Sequence, residues 1–311
     1  MTVVRTGSRL HFGLIDLRHF GGVGMMIDEP AVEVSARRDS HWSVSGLHPT
    51  RIQFVIGRLT NLYPELPPMH IEVAHAPPEH AGFGCGTQVT LAIASAITAE
   101  AGRHTSTIEL ALALGRGNRS AIGIYGFQVG GLLMDDGKPG VQTLSPLTTR
   151  TELPEHWRIL LITPRGESTW SGQRERDAFQ LLGQTATDEK HDDLRRIAEC
   201  NLFPAARAAD LGAFGHALSD FNALAGQMFE SIQGGRYASP QVESIVRRLK
   251  SDGLTGIGQS SWGPTVFAFD VDEAKLARIG QVFLGKGNAV RITRLRNCGA
   301  TLKKSDSIYP T

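Results

Sequence analysis

An apolar run opens the chain at Thr2–Arg5 and continues through Ser8-Arg9-Leu10-His11-Phe12-Gly13-Leu14-Ile15-Asp16-Leu17. The pattern predicts a strand interrupted by Arg9, His11 and Asp16. On a strand Arg9 and His11 share a face, because side chains alternate; that face meets either a ligand or solvent. Phe20–Met25 reads as a flexible glycine loop, and Ala31–Ser35 and His41–Ser45 as two strands around a polar turn. Apolar residues recur at helical spacing at Ile52, Val55, Ile56 and Leu59, predicting a helix over 50–62 that Pro64, Pro67 and Pro68 bring to an end. Met69–His75 alternates as a strand does. Small aliphatic residues then predict a helix from about Thr87 to Ala101, closed by Gly102. A shorter one comes next over 107–114, with Thr105 or Ser106 as its N-cap. Gly131–Met134 reads as a strand. Asp135 and Asp136 after it are either a turn with Gly137 or metal ligands, the turn being the commoner use of such a triplet.

Composition shifts over 144–157, where prolines and threonines gather, and a domain boundary is expected there, giving domains of 1–150 and 151–311. Arg158–Ile162 predicts a buried strand and 163–172 a loop. Helical patterns cover Gln173–Leu182, with Glu175 near its start, then His191–Ala209 and Ala213–Phe229. Ser239 and Pro240 begin another helix that runs to Leu249. Gly256-Ile-Gly-Gln-Ser-Ser-Trp-Gly-Pro264 breaks the pattern, and Thr265–Phe269, Asp270–Leu284 and Ala289–Arg294 read as strand, helix and strand. This order suits an α+β chain whose second half is a split βαβ, ferredoxin-like layer with inserted helices.

Candidate chemistry centres on Pro77-Pro78-Glu79-His80-Ala81-Gly82-Phe83-Gly84-Cys85-Gly86-Thr87-Gln88, a glycine loop between a strand and a helix. Glycines let the backbone turn its N–H groups toward one point, and the helix start adds unpaired amides and partial positive charge. Together these suit a phosphate; the same loop also serves as a plain strand-to-helix turn. Arg116 and Arg119 sit in Gly115-Arg-Gly-Asn-Arg-Ser120, a stretch otherwise poor in charge, and their guanidinium groups match phosphate geometry or lie solvated on a surface loop. Across 311 residues the net charge is only +1, so nothing steers the whole molecule to nucleic acid. No apolar run spans a bilayer, and Met1–Arg9 lacks the pattern of a signal peptide. Three widely spaced cysteines argue against a disulfide framework or a zinc cluster and for a reducing compartment, so a cytoplasmic location is expected.

Four motifs in order, Arg9–Leu17, Gly82–Gln88, Gly115–Gly123 and Gly258–Pro264, resemble the β-ribofuranosylaminobenzene 5′-phosphate synthase branch of the GHMP kinase superfamily. The resemblance implies an N-terminal domain like ribosomal protein S5 domain 2 and a ferredoxin-like C-terminal domain. It departs from the kinases of the superfamily. Gly86 stands where their magnesium-holding serine belongs. Gly123 lies near their catalytic aspartate position, and Arg116–Arg119 fill a stretch where acidic groups are expected. Cys85 stands where serine is commoner in the branch; it reads as a small buried filler or as an acidified thiol at a helix start.

The branch implies a decarboxylating phosphoribosyl transfer in methanopterin biosynthesis. Phosphoribosyl pyrophosphate joins 4-hydroxybenzoate or 4-aminobenzoate as a C-riboside 5′-phosphate, releasing carbon dioxide and pyrophosphate, with Mg2+ and a homodimer expected. In that reading the amides of Gly82, Gly84, Gly86 and Thr87 in the loop that also holds Cys85 and Gln88 hold phosphate. Arg116 and Arg119 meet the donor phosphates beside Ser120. Arg9, His11 and Asp16 line the pocket, with His11 facing the phenol or amine. Gln259, Ser260, Ser261 and Trp262 close it from the second domain, with Trp262 a wall for the ring. The metal ligands are not separable from a base among Asp16, Glu175 and Asp135. An ATP-dependent kinase and a non-catalytic phosphate-ligand binder remain as alternatives.

Overall fold

In the computed structural model, residues 1–138, 140, 144–166 and 188–304 are described. The expected helix over 173–182, with Glu175, lies outside them. One sheet is built on two long antiparallel strands, β1 (Thr2–Leu14) and β2 (Gly22–Arg38). Beyond β2 lie β4 (Met69–His75) and β3 (Ser43–Gly46); β5 (Leu132–Asp135) pairs with the first residues of β2, and β6 (Leu147–Thr151) with β5. On the other edge, β11 (Thr301–Lys304) pairs with Thr2–Arg5. The first sheet thus draws on both sides of the expected boundary, with β6 running to Thr151 and β11 returning from the chain's last described residues.

Phe20–Met25 is not a flexible loop. Gly22–Met25 pair with β1 on one side and β5 on the other. The glycines serve close approach instead: a Cβ on Gly24 would lie 2.5 Å from Leu10 O, and one on Gly22 would lie 2.8 Å from His11 Nε2. Ala31–Ser35 is the middle of β2 rather than a separate strand.

Helices α1 (Pro49–Leu62), α2 (Cys85–Glu100), α3 (Thr107–Ala113) and α4 (Ile122–Val129) belong to the first domain. Between Val89 and Ile97, α2 buries every residue but Ser95, so it reads as continuously apolar rather than striped; its alanines let it pack close to β1 and β2. Ser106 is the N-cap of α3, in a capping box with Glu109.

The second sheet runs β10 (Ala289–Arg294), β7 (Arg158–Thr163), β9 (Val266–Asp270), β8 (Thr255–Gln259), antiparallel throughout, which is the ferredoxin-like order. Gly256–Gln259 is thus strand, and the turn is confined to the residues between Gln259 and Val266. The His191–Ala209 pattern resolves into α5 (Asp188–Ile197), a π-helical turn (Ala198–Leu202) and α6 (Phe203–Arg207). The remaining helices are α7 (Leu211–Gln227), α8 (Glu230–Gln233), α9 (Pro240–Ser251) and α10 (Glu273–Leu284).

Strand alternation divides the interior. Ile159, Leu161, Phe267 and Phe269 share one cluster with Leu10, Phe12 and Leu14 of β1 and with Phe214, Leu218 and Phe221 of α7, and the Phe12 and Phe267 rings meet at 5.3 Å. Leu160, Ile162, Val266 and Ala268 turn the other way, onto α9 and α10. No helix among the described residues is long and apolar enough to cross a membrane.

Candidate active site

A break in the register between β1 and β2 sets up the site. Thr6 faces α2, where its Oγ1 donates to Gln88 Oε1 at 3.2 Å. The register then slips between Thr6 and Ser8. From Thr6 to Ser8 β1 advances two residues while β2 runs from Val32 to Ile27, so the extra residues bulge from β2; beyond the break Arg9 lies against Gly84 at the start of α2 while Leu10 and Phe12 enter the core.

Three of the four sequence motifs meet through Ser260. Its Oγ accepts from the His11 amide at 3.0 Å and donates to Gly82 O at 2.7 Å. The Ser261 amide donates to His11 O at 2.9 Å, with Ser261 itself at φ 56°, uncommon outside glycine. The two loops touch so closely that a Cβ on Gly263 would lie 2.2 Å from Gly82 N, and one on Gly82 2.4 Å from Ser260 O. Asn222 of α7 adds a second tie. Its Nδ2 donates to Phe12 O and Gln259 O, and its Oδ1 accepts from the Gln259 amide.

Two cavities flank this junction, and Arg9, Ser261 and Trp262 line both. The first, of about 350 Å³, opens on the glycine loop. Gly84 caps α2 in the left-handed conformation, and the Cys85 and Gly86 amides open the helix, where backbone donors lack an intrahelical acceptor. Thr87 N is instead bonded to Gly84 O at 3.0 Å. Arg51 Nη1 and Arg116 Nη1 lie 3.4 and 3.6 Å from where a Gly86 Cβ would be, and Arg9 Nε is 3.2 Å from the corresponding point on Gly84. Arg116 donates to Thr90 Oγ1, and burial and then the Arg51 charge lower its pKa. Cations so crowded are relieved by an anion.

Arg51 was not legible as a site residue; on α1 it has the spacing of any solvent-facing arginine. Glu79 Oε1 accepts from its Nη2 at 2.7 Å, and that bond holds the Glu79 carboxyl below its usual range. Arg51→Met is expected to weaken pyrophosphate binding about tenfold, the scale of one charge-assisted hydrogen bond. Titration calorimetry with pyrophosphate checks this; unchanged affinity would take Arg51 out of the anion site.

Cys85 is buried with Sγ 3.8 Å from His48 Nε2, whose ring also meets Glu79 Oε1 through Nδ1 at 3.3 Å. Burial pushes the thiol up to about 11, so the acidified-thiol reading is overturned and the buried filler stands. These three side chains could surround a cation, with ligand atoms within 4.8 Å of one another, but Arg51 Nη2 already pairs with Oε1, the Glu79 oxygen that faces His48.

The second cavity, of about 170 Å³, has aromatic walls at Phe12, Phe229, Tyr237 and Trp262, with Phe229 and Trp262 edge to face at 4.9 Å. Its polar lining includes His11, Arg119, Ser120, Gln259 and Arg236. His11 is buried, and burial followed by the nearby Arg9 charge takes its pKa well below the usual value, so the ring is neutral. Its Nε2 has no hydrogen-bond partner among the described residues.

Asp135 supports this side and is no turn residue. It is buried at the end of β5, its Oδ2 accepting from Ser120 Oγ (2.9 Å) and Ala121 N (2.6 Å), its Oδ1 from Gly22 N (3.0 Å) and Ser145 Oγ (3.0 Å). Burial pushes its carboxyl up to about 6 against those four donors. Every donor it holds is thereby satisfied, which leaves it no free lone pair directed at a metal.

Three expected residues stand apart from both linings. Asp16 organises its own turn, accepting from Arg18 N and pairing with His19 Nδ1 at 2.7 Å. Burial raises its pKa, but those bonds and His191 bring it below the usual value. Gln88 is buried between Thr6 and Gly123 O, and Ser260 is a buried tie.

Comparison with known proteins agrees with this architecture. The family model described as GHMP kinases C terminal matches residues 202–287. Among solved structures, homoserine kinase from Cytophaga hutchinsonii superposes at a TM-score of 0.68 with 16% identity over 97% of each chain. Phosphomevalonate kinase from Streptococcus pneumoniae does so at 0.70 with 11% identity, over 94% of this chain and 99% of that one. These share the fold. Curated relatives from Archaeoglobus fulgidus (30% identical, covering 97% of this chain and 100% of that one) and Methanothermobacter thermautotrophicus (28%, covering 97% and 98%) are both named β-ribofuranosylphenol 5′-phosphate synthase. With that identity over nearly its whole length, the chain belongs to the β-ribofuranosylphenol 5′-phosphate synthase family.

Proposed function

We propose that the protein is a decarboxylating phosphoribosyltransferase of methanopterin biosynthesis, joining phosphoribosyl pyrophosphate to 4-hydroxybenzoate. The observation that carries this is the pair of cavities meeting at Arg9, Ser261 and Trp262, one ringed by arginines over a helix start, the other walled by aromatic rings. The phenol in the relatives' names supports the acceptor.

The donor's pyrophosphate lies on the Cys85 and Gly86 amides with Arg9, Arg51 and Arg116 around it, and its ribose lies at the junction. As the bond from the anomeric carbon to pyrophosphate breaks, the electron pair leaves with pyrophosphate, and these donors stabilise the growing charge where it develops. The carboxyl-bearing ring carbon forms the new bond to the anomeric carbon. The bond to the carboxylate then breaks, carbon dioxide leaves, and its electron pair restores the aromatic ring. Neutral His11 offers an acceptor to a hydroxyl at the junction. Trp262 and Phe229 keep water from the cationic sugar. Magnesium fits as an ion carried in on pyrophosphate, to which it would supply further charge neutralisation. Glu79 is the one carboxylate lining either cavity among the described residues, and its Oε2 has no partner there. A kinase of this fold needs a base near the phosphates, and the one carboxylate there, Glu79, is held below its usual pKa by its bond from Arg51, which makes it a poor base.

The test is release of labelled carbon dioxide from carboxyl-labelled 4-hydroxybenzoate with phosphoribosyl pyrophosphate and magnesium. Release that needs both substrates is the expected result. Absence of release, with ATP consumed when small alcohols are offered, would return the chain to the kinases.

A further inference from the structure

The second cavity has a cation and a phenol among the residues it does not share with the first. Arg236 and Tyr237 lie just beyond α8 and line that cavity alone, whereas Arg9, Ser261 and Trp262 belong to both. His11 is at the shared end, since its carbonyl accepts from Ser261 N at 2.9 Å. The Tyr237 ring is anchored in the core of the second sheet, and neither its hydroxyl nor the Arg236 guanidinium has a hydrogen bond or ion pair among the described residues. The backbone that carries them is fixed on three sides. Gln233 Nε2 donates to Arg236 O at 3.0 Å, and Gly226 packs so closely that a Cβ would lie 2.5 Å from that oxygen. Gln259 spans to the junction, accepting from Ala238 N at 2.8 Å and donating to Ser261 O at 2.8 Å.

The geometry points to Arg236 and Tyr237 as the residues that meet the 4-substituent of the aromatic acid, with Arg236 selecting a phenol oxygen over an amine. This rests on the two-cavity reading above. The attacking ring carbon must lie at the shared end, beside the sugar, so the substituent para to it is directed away, toward the end that only the second cavity owns. A guanidinium offers five donors and no acceptor. A phenol oxygen accepts from it, and an ionised one is paired with it. An aromatic amine, whose lone pair is drawn into the ring, presents N–H groups to N–H groups. A site built to bond one substituent rejects the other more strongly than a merely apolar slot does.

The experiment compares 4-hydroxybenzoate with 4-aminobenzoate in the intact protein, by carbon dioxide release and by equilibrium binding read from tryptophan fluorescence. Arg236→Met is expected to lower kcat/KM and affinity for the hydroxy acid about ten- to a hundredfold while changing those for the amino acid no more than about twofold. Tyr237→Phe, which keeps the packing, is expected to give about a fivefold loss on both acids, because its hydroxyl can donate to a phenol oxygen or accept from an amine. Pyrophosphate affinity should not move in either variant. Equal losses for both acids in Arg236→Met, or a change of preference in His11→Ala with none in Arg236→Met, would overturn the assignment. If the unaltered protein binds both acids but releases no carbon dioxide, the proposed reaction fails, and the affinity ratio in Arg236→Met still decides whether Arg236 reads the substituent. If it binds neither, both fall together.

Discussion

Gly263→Ala is expected to cut turnover about a hundredfold and to destabilise the protein by about 3 kcal/mol, the upper range for overpacking a tight contact. The new methyl would sit 2.2 Å from Gly82 N and 2.3 Å from Ala81 C. Both are backbone atoms, so no side chain can swing aside. Relief comes only by moving the Ser261–Trp262 turn away from the glycine loop, and those two residues line both cavities. A displacement of about 1 Å at reacting groups is enough for a hundredfold loss. Carbon dioxide release and thermal unfolding check the two effects. Normal turnover with a lowered midpoint would mean that the loop contact holds the domains together without positioning the substrates. Ser260→Ala, which removes only the bridge between His11 N and Gly82 O, should fall between the two proteins.

The second large effect is expected at Asp135. Its replacement by alanine orphans the Gly22 and Ala121 amides in the interior, at a cost of about 3 kcal/mol. It also frees Ser120 and Gly22 beside His11, so kcat/KM is expected to fall about a hundredfold. The carboxyl brings a pH signature. Because its pKa rises from 3.8 to about 6 on folding, the folded protein holds a proton there that the unfolded chain has released. Its contribution to stability is therefore full below about pH 4 and declines as pH rises to about 6, by about 3 kcal/mol in all. Asp135→Asn should flatten the dependence of the unfolding free energy on pH across that window. An unchanged slope would assign it to other groups.

Much of this arrangement was legible in the residues. The strand, glycine loop and helix that hold an anion come from local chemistry, and so does the strand order of the second sheet, where runs such as Arg158–Ile162 alternate between two buried faces. The features that escaped depend on contacts between distant segments. Gly82 looks like a glycine that lets phosphate approach, yet the group that crosses it is the Ser260 carbonyl. The glycines of 21–24 look like flexibility, yet they admit the neighbouring strand and the His11 ring. Asp135 carries the local signature of a turn, and only the return of Gly22, Ala121 and Ser145 around it makes it a buried acceptor. Arg51 and Arg236 have no local signature, since an arginine on a helix face or in a polar loop reads the same whether it meets solvent or substrate. The break in the β1–β2 register after Thr6 has none either.

The pairing of β11 with β1 bears on how the molecule is made. Val3 and Val4 lie opposite Lys303 and Leu302. During synthesis the ribosome delivers β1 first, and its outer edge waits for a partner until some three hundred further residues have emerged. Through that interval an unpaired row of backbone donors and acceptors is exposed in a growing chain, the situation in which strands recruit wrong partners. The ferredoxin-like layer is thus enclosed by the sheet that precedes it, and shortening the chain before Thr301 should leave an aggregation-prone edge at the domain farthest away in sequence.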